Sequence, residues 1–201
     1  MTRVALFGGS FNPPHVAHQL VALYVLETQP VDELWFVPAY VHPLGKQLAS
    51  YEHRVAMCEE LLPALGPRAS VSRVEEELAL RPGFVASRTL DLVQYLVAPS
   101  AARPGLHVRL VIGADILAET AKWYRWSDVV ALAPPIIVGR EGHDLPPGAT
   151  VTGVTMPAIS STQIRDALAR GDAEAVGGLL PRRVLRYIAE HALYDYEADP
   201  P

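Results

Sequence analysis

The sequence predicts an α/β fold in which a mostly parallel sheet is flanked by helices. Three observations carry that expectation. Short apolar runs (Arg3 to Phe7, Leu34 to Pro38, Leu106 to Ile112) alternate with stretches of helical periodicity. The first run passes through Gly8-Gly9 directly into a helical pattern, the strand–turn–helix opening of a doubly wound sheet. Half of the 201 residues are hydrophobic, enough for a substantial core in one domain spanning 1–201, with C-terminal helices over 160–194 packed on it.

The elements follow in order. Arg3 to Phe7 reads as a buried strand. Val16 to Thr28 places Leu20, Val21, Leu23, Tyr24 and Leu26 on a broad helical face, and Pro30 ends it. Leu34 to Pro38 is the second strand, and Ala39 to Ser50 a loop. Tyr51 to Leu65 reads as a helix, Ala69 to Val74 as a third strand and Val85 to Val97 as a further helix. An irregular link, Ala98 to Gly105, leads to the central strand Leu106 to Ile112, which ends in Gly113-Ala114-Asp115. Pro135 to Val138 and Thr150 to Thr155 are shorter strands around a Gly/Pro-rich turn. Ser161 to Arg170 and Pro181 to His191 form the closing helices, and Ala198 to Pro201 is expected to fray.

Composition excludes several functions. A net charge of -5 argues against coating of nucleic acid, which needs a basic excess, but leaves room for a small anion held by local cations. The single cysteine, Cys58, rules out an internal disulfide and any multi-cysteine metal site, and its helical setting suits a buried thiol. Gly8 to Pro14 interrupts any signal-peptide run, and no apolar stretch reaches the roughly 20 residues of a membrane span. A cytoplasmic address without membrane partners is expected. The sequence does not decide between a monomer and a homo-oligomer.

Gly8-Gly9-Ser10-Phe11-Asn12-Pro13 lacks the third glycine of the dinucleotide fingerprint, and no Gly-Lys-Ser/Thr follows as in a P-loop. His15 and His18, three apart, share one face of the first helical turn. They are open to three readings: a metal pair without a third ligand, packed structural histidines, or donors to phosphate beside the glycine turn and helix start. Ile159-Ser160-Ser161-Thr162-Gln163-Ile164-Arg165 starts a second helix whose hydroxyls either cap free amides or meet phosphate oxygens, with Arg165 one turn on.

Both ends together resemble the nucleotidyltransferase superfamily with a His-x-Gly-His signature and a C-terminal Ile-Ser-Ser-Thr-x-x-Arg. The chain looks most like the bacterial nicotinate-mononucleotide adenylyltransferases. The matching pieces are Gly8 to His18, Ile112-Gly113-Ala114-Asp115, Trp123-Tyr124-Arg125-Trp126, Ile159 to Arg165 and Val184 to Tyr194. The resemblance implies a Rossmann-like nucleotidyltransferase fold and, in NAD biosynthesis, transfer of AMP from ATP to nicotinate mononucleotide with release of pyrophosphate. Mg²⁺ would be carried with the ATP phosphates, and no protein metal site is expected.

The roles it implies are specific. His15, His18, Lys46 and Arg165 would be the catalytic group. Gly8, Gly9, Ser10, Phe11, His15, His18, Asp115, Ile159, Ser160, Ser161 and Arg165 would hold ATP. Lys46, Ala86, Asp115, Trp123 and Tyr124 would hold the mononucleotide, Trp123 by stacking on the pyridine ring and Asp115 through a ribose hydroxyl. Taken alone, Lys46 also reads as a solvated lysine, Arg54 as a phosphate cation or a surface ion pair, Asp115 as a helix cap and Trp123 as core. Arg140, Glu141 and Gly142 resemble a family segment near the adenosine. The chain departs from the family at Ala17 (usually glycine), at Asn12 (commonly aspartate) and at Phe84-Val85-Ala86 (usually Ser-Tyr-Thr). Those departures keep two alternatives in view: a catalytically silent nucleotide-binding regulator, and an adenylyltransferase for nicotinamide mononucleotide or phosphopantetheine.

Overall fold

The computed structural model describes residues 1–41, 48–84, 86, 88–99, 103–117, 119–143 and 151–196. Its strands are β1 (Thr2–Gly9), β2 (Glu33–Pro38), β3 (Ala69–Val71), β4 (Leu106–Gly113), β5 (Pro135–Arg140) and β6 (Val151–Met156). All pair in parallel, in one six-stranded sheet of order β3-β2-β1-β4-β5-β6. The winding reverses between β1 and β4, so their carboxyl ends, Gly8–Gly9 and Gly113, flank the crevice where doubly wound sheets bind ligands.

The helices are α1 (Val16–Thr28), α2 (Tyr51–Glu59), α3 (Val74–Ala79), α4 (Thr89–Val97), α5 (Ala114–Leu117), α6 (Trp126–Leu132), α7 (Ser161–Ala169), α8 (Ala173–Gly177) and α9 (Arg182–Glu190). Strand side chains alternate between faces. On one face Ala5, Phe7, Leu34 and Phe36 meet Val25 of α1, Met57 of α2, Ile164 and Leu168 of α7, and Val184 and Ile188 of α9. On the other, Val4, Leu6, Trp35 and Val37 meet Val74 of α3, Leu90 and Val93 of α4, and Val129 of α6. Coverage of both faces explains why β1 and β2 read as continuous apolar runs rather than alternating ones. Ile164, Leu168, Val184 and Ile188 are fully buried, each burial stabilising by about 1.5–3 kcal/mol, and this fixes the C-terminal helices to the sheet.

Three expected elements change. The helix from Tyr51 stops at Glu59, because Pro63 has no N–H to continue it, and a short 3₁₀ turn, Leu62–Ala64, follows. The third strand ends at Val71, because Glu75, Glu76 and Glu77 favour the N-terminal turn of α3 beginning at Val74. The following helix starts at Thr89; Val85 lies outside the described residues, as do parts of the loop Ala39 to Ser50, of the link Ala98 to Gly105 and of the Gly/Pro-rich turn, and Ala198 to Pro201.

Candidate active site

The turn after β1 is shaped by what lies under it. Phe11 takes a left-handed conformation (φ 46°), and its ring, 2% exposed, sits edge-to-face against His18 at 5.0 Å. A Cβ on Gly9 would come within 3.1 Å of that ring, whereas one on Gly8 would meet nothing within 4 Å. Gly9 therefore makes room for Phe11, and Gly8 leaves the open side of the turn clear.

His15 caps α1 and His18 sits three residues on. The His15 backbone N–H donates to His18 Nδ1 at 3.1 Å, and the two rings lie 3.8 Å apart. An accepting Nδ1 carries no proton, so neutral His18 holds its proton on Nε2 as a donor. Burial pushes His15 down to about 4, with a contribution from the Arg140 guanidinium. Burial also holds His18 well below the ordinary histidine value, helped by His15 and then Arg140. Both are neutral at physiological pH. His15 is buried, and among the described residues its Nδ1 meets no hydrogen-bond partner.

The C-terminal segment closes on this turn. Ser161 Oγ donates to Pro13 O at 2.9 Å, and Arg165 Nη1 donates to Asn12 O at 2.8 Å. The Ser160 hydroxyl caps α7, accepting from the Gln163 N–H at 3.3 Å. Arg140, at the end of β5, ion-pairs with Asp115 in the first turn of α5 and donates to Ile159 O at 2.8 Å. One guanidinium thus joins the carboxyl ends of β4 and β5 to the approach of α7. Ser161 and Arg165 thus meet the β1 turn beside His15 and His18, and Arg140, whose field reaches both histidines, holds Asp115 and Ile159.

Beneath it, Asn12 is 3% exposed, and its Oδ1 accepts from the Ala49 N–H at 3.0 Å and from the Tyr194 hydroxyl at 2.8 Å. Arg54 is also buried, donating to Ser10 O and Ala49 O, each at 3.0 Å. Of the two sequence readings of Arg54, the surface ion pair is corrected: among the described residues it pairs with no carboxylate, and it holds backbone from behind the turn.

The cytidylyltransferase-like family model matches residues 6–167. A protein of Anaeromyxobacter sp. (strain K) described as "Probable nicotinate-nucleotide adenylyltransferase" is 50% identical over 191 residues, 95% of this chain and 96% of that one. The chain belongs to this adenylyltransferase family. A Myxococcus xanthus relative of the same description is 41% identical over 198 residues, 98% of this chain and 97% of its own. The fold matches that of Plasmodium falciparum nicotinic acid mononucleotide adenylyltransferase complexed with NaAD, with a TM-score of 0.79 at 18% identity, covering 98% and 99% of the two chains.

The adenylyltransferase signature at both chain ends thus meets at one place; of the residues expected at the mononucleotide, Asp115 lies with it, whereas Trp123 and Tyr124 belong to a second neighbourhood. Arg88 stacks over the half-exposed Tyr124 ring at 4.6 Å, tying the segment that carries Ala86 to the Trp123–Trp126 pair, whose rings meet edge-to-face at 5.4 Å. Both tryptophans also rest partly on the core of the α4–α6 face. Among the described residues no hydrogen bond, ion pair or ring contact links this neighbourhood to the histidines. Lys46 lies outside the described residues. Sequence reasoning left two supports of the site without a role, Asn12 and Tyr194. Both stand inside quoted motifs, which was the available signal.

Proposed function

We propose that this chain transfers AMP from ATP to nicotinate mononucleotide, forming nicotinate adenine dinucleotide and pyrophosphate. The observation that carries the reading is the closure of the two signature segments on one turn, Ser161 on Pro13 O and Arg165 on Asn12 O beside the stacked His15 and His18. A 5′-phosphate oxygen of the mononucleotide attacks the α-phosphorus of ATP in line; the new P–O bond forms as the bond to pyrophosphate breaks. A phosphate monoester is already an anionic nucleophile, so the protein's work is positioning and charge stabilisation.

In this reading the neutral His18 presents Nε2–H to the phosphate where charge builds, and His15 stands beside it. Arg165 and the hydroxyls at the start of α7 receive the β- and γ-phosphates at a helix N-terminus. Ser10, Phe11 and the open side of Gly8 form the backbone wall. Asp115 meets a ribose hydroxyl, exchanging part of its pairing with Arg140. Trp123 and Tyr124, with Ala86 and Lys46, take the mononucleotide. Mg²⁺ carried with the triphosphate would supply charge neutralisation there. The reaction is expected in the cytoplasm, and among the described residues no helix is long and apolar enough to cross a membrane.

The test is purified protein with ATP, Mg²⁺ and nicotinate mononucleotide, following pyrophosphate. Continuous release is expected, faster than with nicotinamide mononucleotide or phosphopantetheine as acceptor. Nucleotide binding without turnover on any acceptor would replace this reading with that of a silent binding protein.

A further inference from the structure

Arg54 is a buried cation without a carboxylate partner. Its residue exposure is 2%, and among the described residues no Asp or Glu lies within ion-pair distance of it. Among the described residues no anionic group is in contact with its guanidinium. The Tyr51 ring lies 5.5 Å from the guanidinium, and burial keeps the Cys58 thiol and the Tyr194 phenol protonated. Glu75, whose field reaches it, accepts instead from the Tyr40 N–H at 2.8 Å. A buried charge left unpaired is costly, and such a charge persists where something else compensates it.

The geometry around Arg54 identifies what compensates it. Nη1 donates to Ser10 O and Nε to Ala49 O. In a planar trans peptide the C=O and N–H point to opposite sides. With its carbonyl engaged by Arg54, the Ser10–Phe11 peptide directs the Phe11 N–H away from the interior, and among the described residues that N–H meets no acceptor. A cation on the carbonyl polarises the peptide and strengthens the donor at its other end. Unpaired backbone N–H groups in such a turn are anion sites.

We propose that Arg54 is a positioning residue for the ATP phosphates: through the Ser10–Phe11 peptide it aims and polarises the Phe11 N–H, and the bound anion supplies the counter-charge that Arg54 lacks. The proposal rests on the reading of ATP as a substrate, but not on the identity of the acceptor.

The experiment is calorimetric titration of the full chain and its Arg54→Gln and Arg54→Lys variants with ATP, inorganic pyrophosphate and adenosine, without acceptor. Arg54→Gln is expected to weaken ATP and pyrophosphate about 10- to 100-fold, the scale of a charged hydrogen bond. Adenosine, which has no phosphate, should bind all three proteins within about twofold, and Arg54→Lys should retain more pyrophosphate affinity than Arg54→Gln. Unchanged ATP and pyrophosphate affinity, or an equal loss for adenosine, would overturn the proposal. If neither variant folds, amide hydrogen exchange of the unaltered chain decides it. The Phe11 N–H should become protected on adding pyrophosphate, and exchange at an unaltered rate would overturn the role. A protein that shows these binding differences yet transfers no AMP to nicotinate mononucleotide would refute the proposed function and leave the Arg54 role standing.

Discussion

The backbone N–H of His15 donates to Nδ1 of His18 at 3.1 Å, which makes the two histidines one unit and leaves His18 with a single proton on Nε2. A neutral imidazole with a fixed tautomer is a directed donor rather than a titrating base. His18→Ala is therefore expected to cut turnover roughly 10²- to 10³-fold, the scale of losing one transition-state donor. Stability should change much less, by about 0.5–1.5 kcal/mol for the capping bond. Steady-state kinetics beside thermal unfolding separates the two effects, and activity within a fewfold of the parent would make His18 structural.

His15 carries a pH signature. Its ordinary value is 6.5 and burial takes it to about 4 in the fold. Between those values the unfolded chain binds more protons, so stability falls as pH drops from about 6.5 towards 4 and is undiminished above that window. The full penalty is on the order of 3 kcal/mol. His18 is held low by the same burial and contributes over the same range, so His15→Asn should lessen the dependence of thermal unfolding on pH there without abolishing it. A variant that loses stability on acidification as steeply as the parent would show that His15 is not the group responsible.

Arg165 donates to Asn12 O through Nη1, and its Nη2 lies 3.3 Å from the Thr162 hydroxyl, so the guanidinium is held at the turn before any nucleotide arrives. If it grips the outer phosphates in both ground and transition states, Arg165→Ala should raise the KM for ATP about 10- to 100-fold with a smaller change in kcat. An unchanged KM for ATP would remove it from the site.

The sheet and the ends of the site were legible because they rest on local signals. The apolar runs, the Gly8-Gly9 turn and the helix Val16–Thr28 are written in period and punctuation, and the helix bounds agree with the structure. The helices α3, α6 and α8 escaped notice because they are short, seven residues at most, and their burial is decided by packing partners elsewhere in the chain. Arg54 shows the limit most clearly. An arginine in Tyr51-Glu52-His53-Arg54 reads as a phosphate cation or a surface ion pair, and only tertiary structure reveals that it faces two backbone carbonyls. Asn12 is similar, since its place in the motif is plain but its two donors come from residues 37 and 182 positions away.

Tyr194 closes the longest of these links, and its cost can be isolated. Ala192, Tyr194 and Asp195 all adopt left-handed backbone conformations (φ 45°, 62° and 57°), unfavourable for side-chain-bearing residues by about 1–2 kcal/mol each. The tail holds that shape because Tyr196 is buried in the core and the Tyr194 hydroxyl is bonded to Asn12 Oδ1 at 2.8 Å. Tyr194→Phe keeps the ring and removes only this bond. Asn12 Oδ1 still accepts from the Ala49 N–H, so no buried acceptor is stranded and the loss should be about 0.5–1.5 kcal/mol. A double-mutant cycle with Asn12→Ala isolates the pair, and a coupling energy on the order of 1 kcal/mol in denaturant unfolding is expected. Because Asn12 O also holds Arg165, Tyr194→Phe should raise the KM for ATP severalfold while leaving the KM for the mononucleotide close to its original value. Additive losses in the cycle, within about 0.5 kcal/mol, would mean that the hydroxyl does not support the turn.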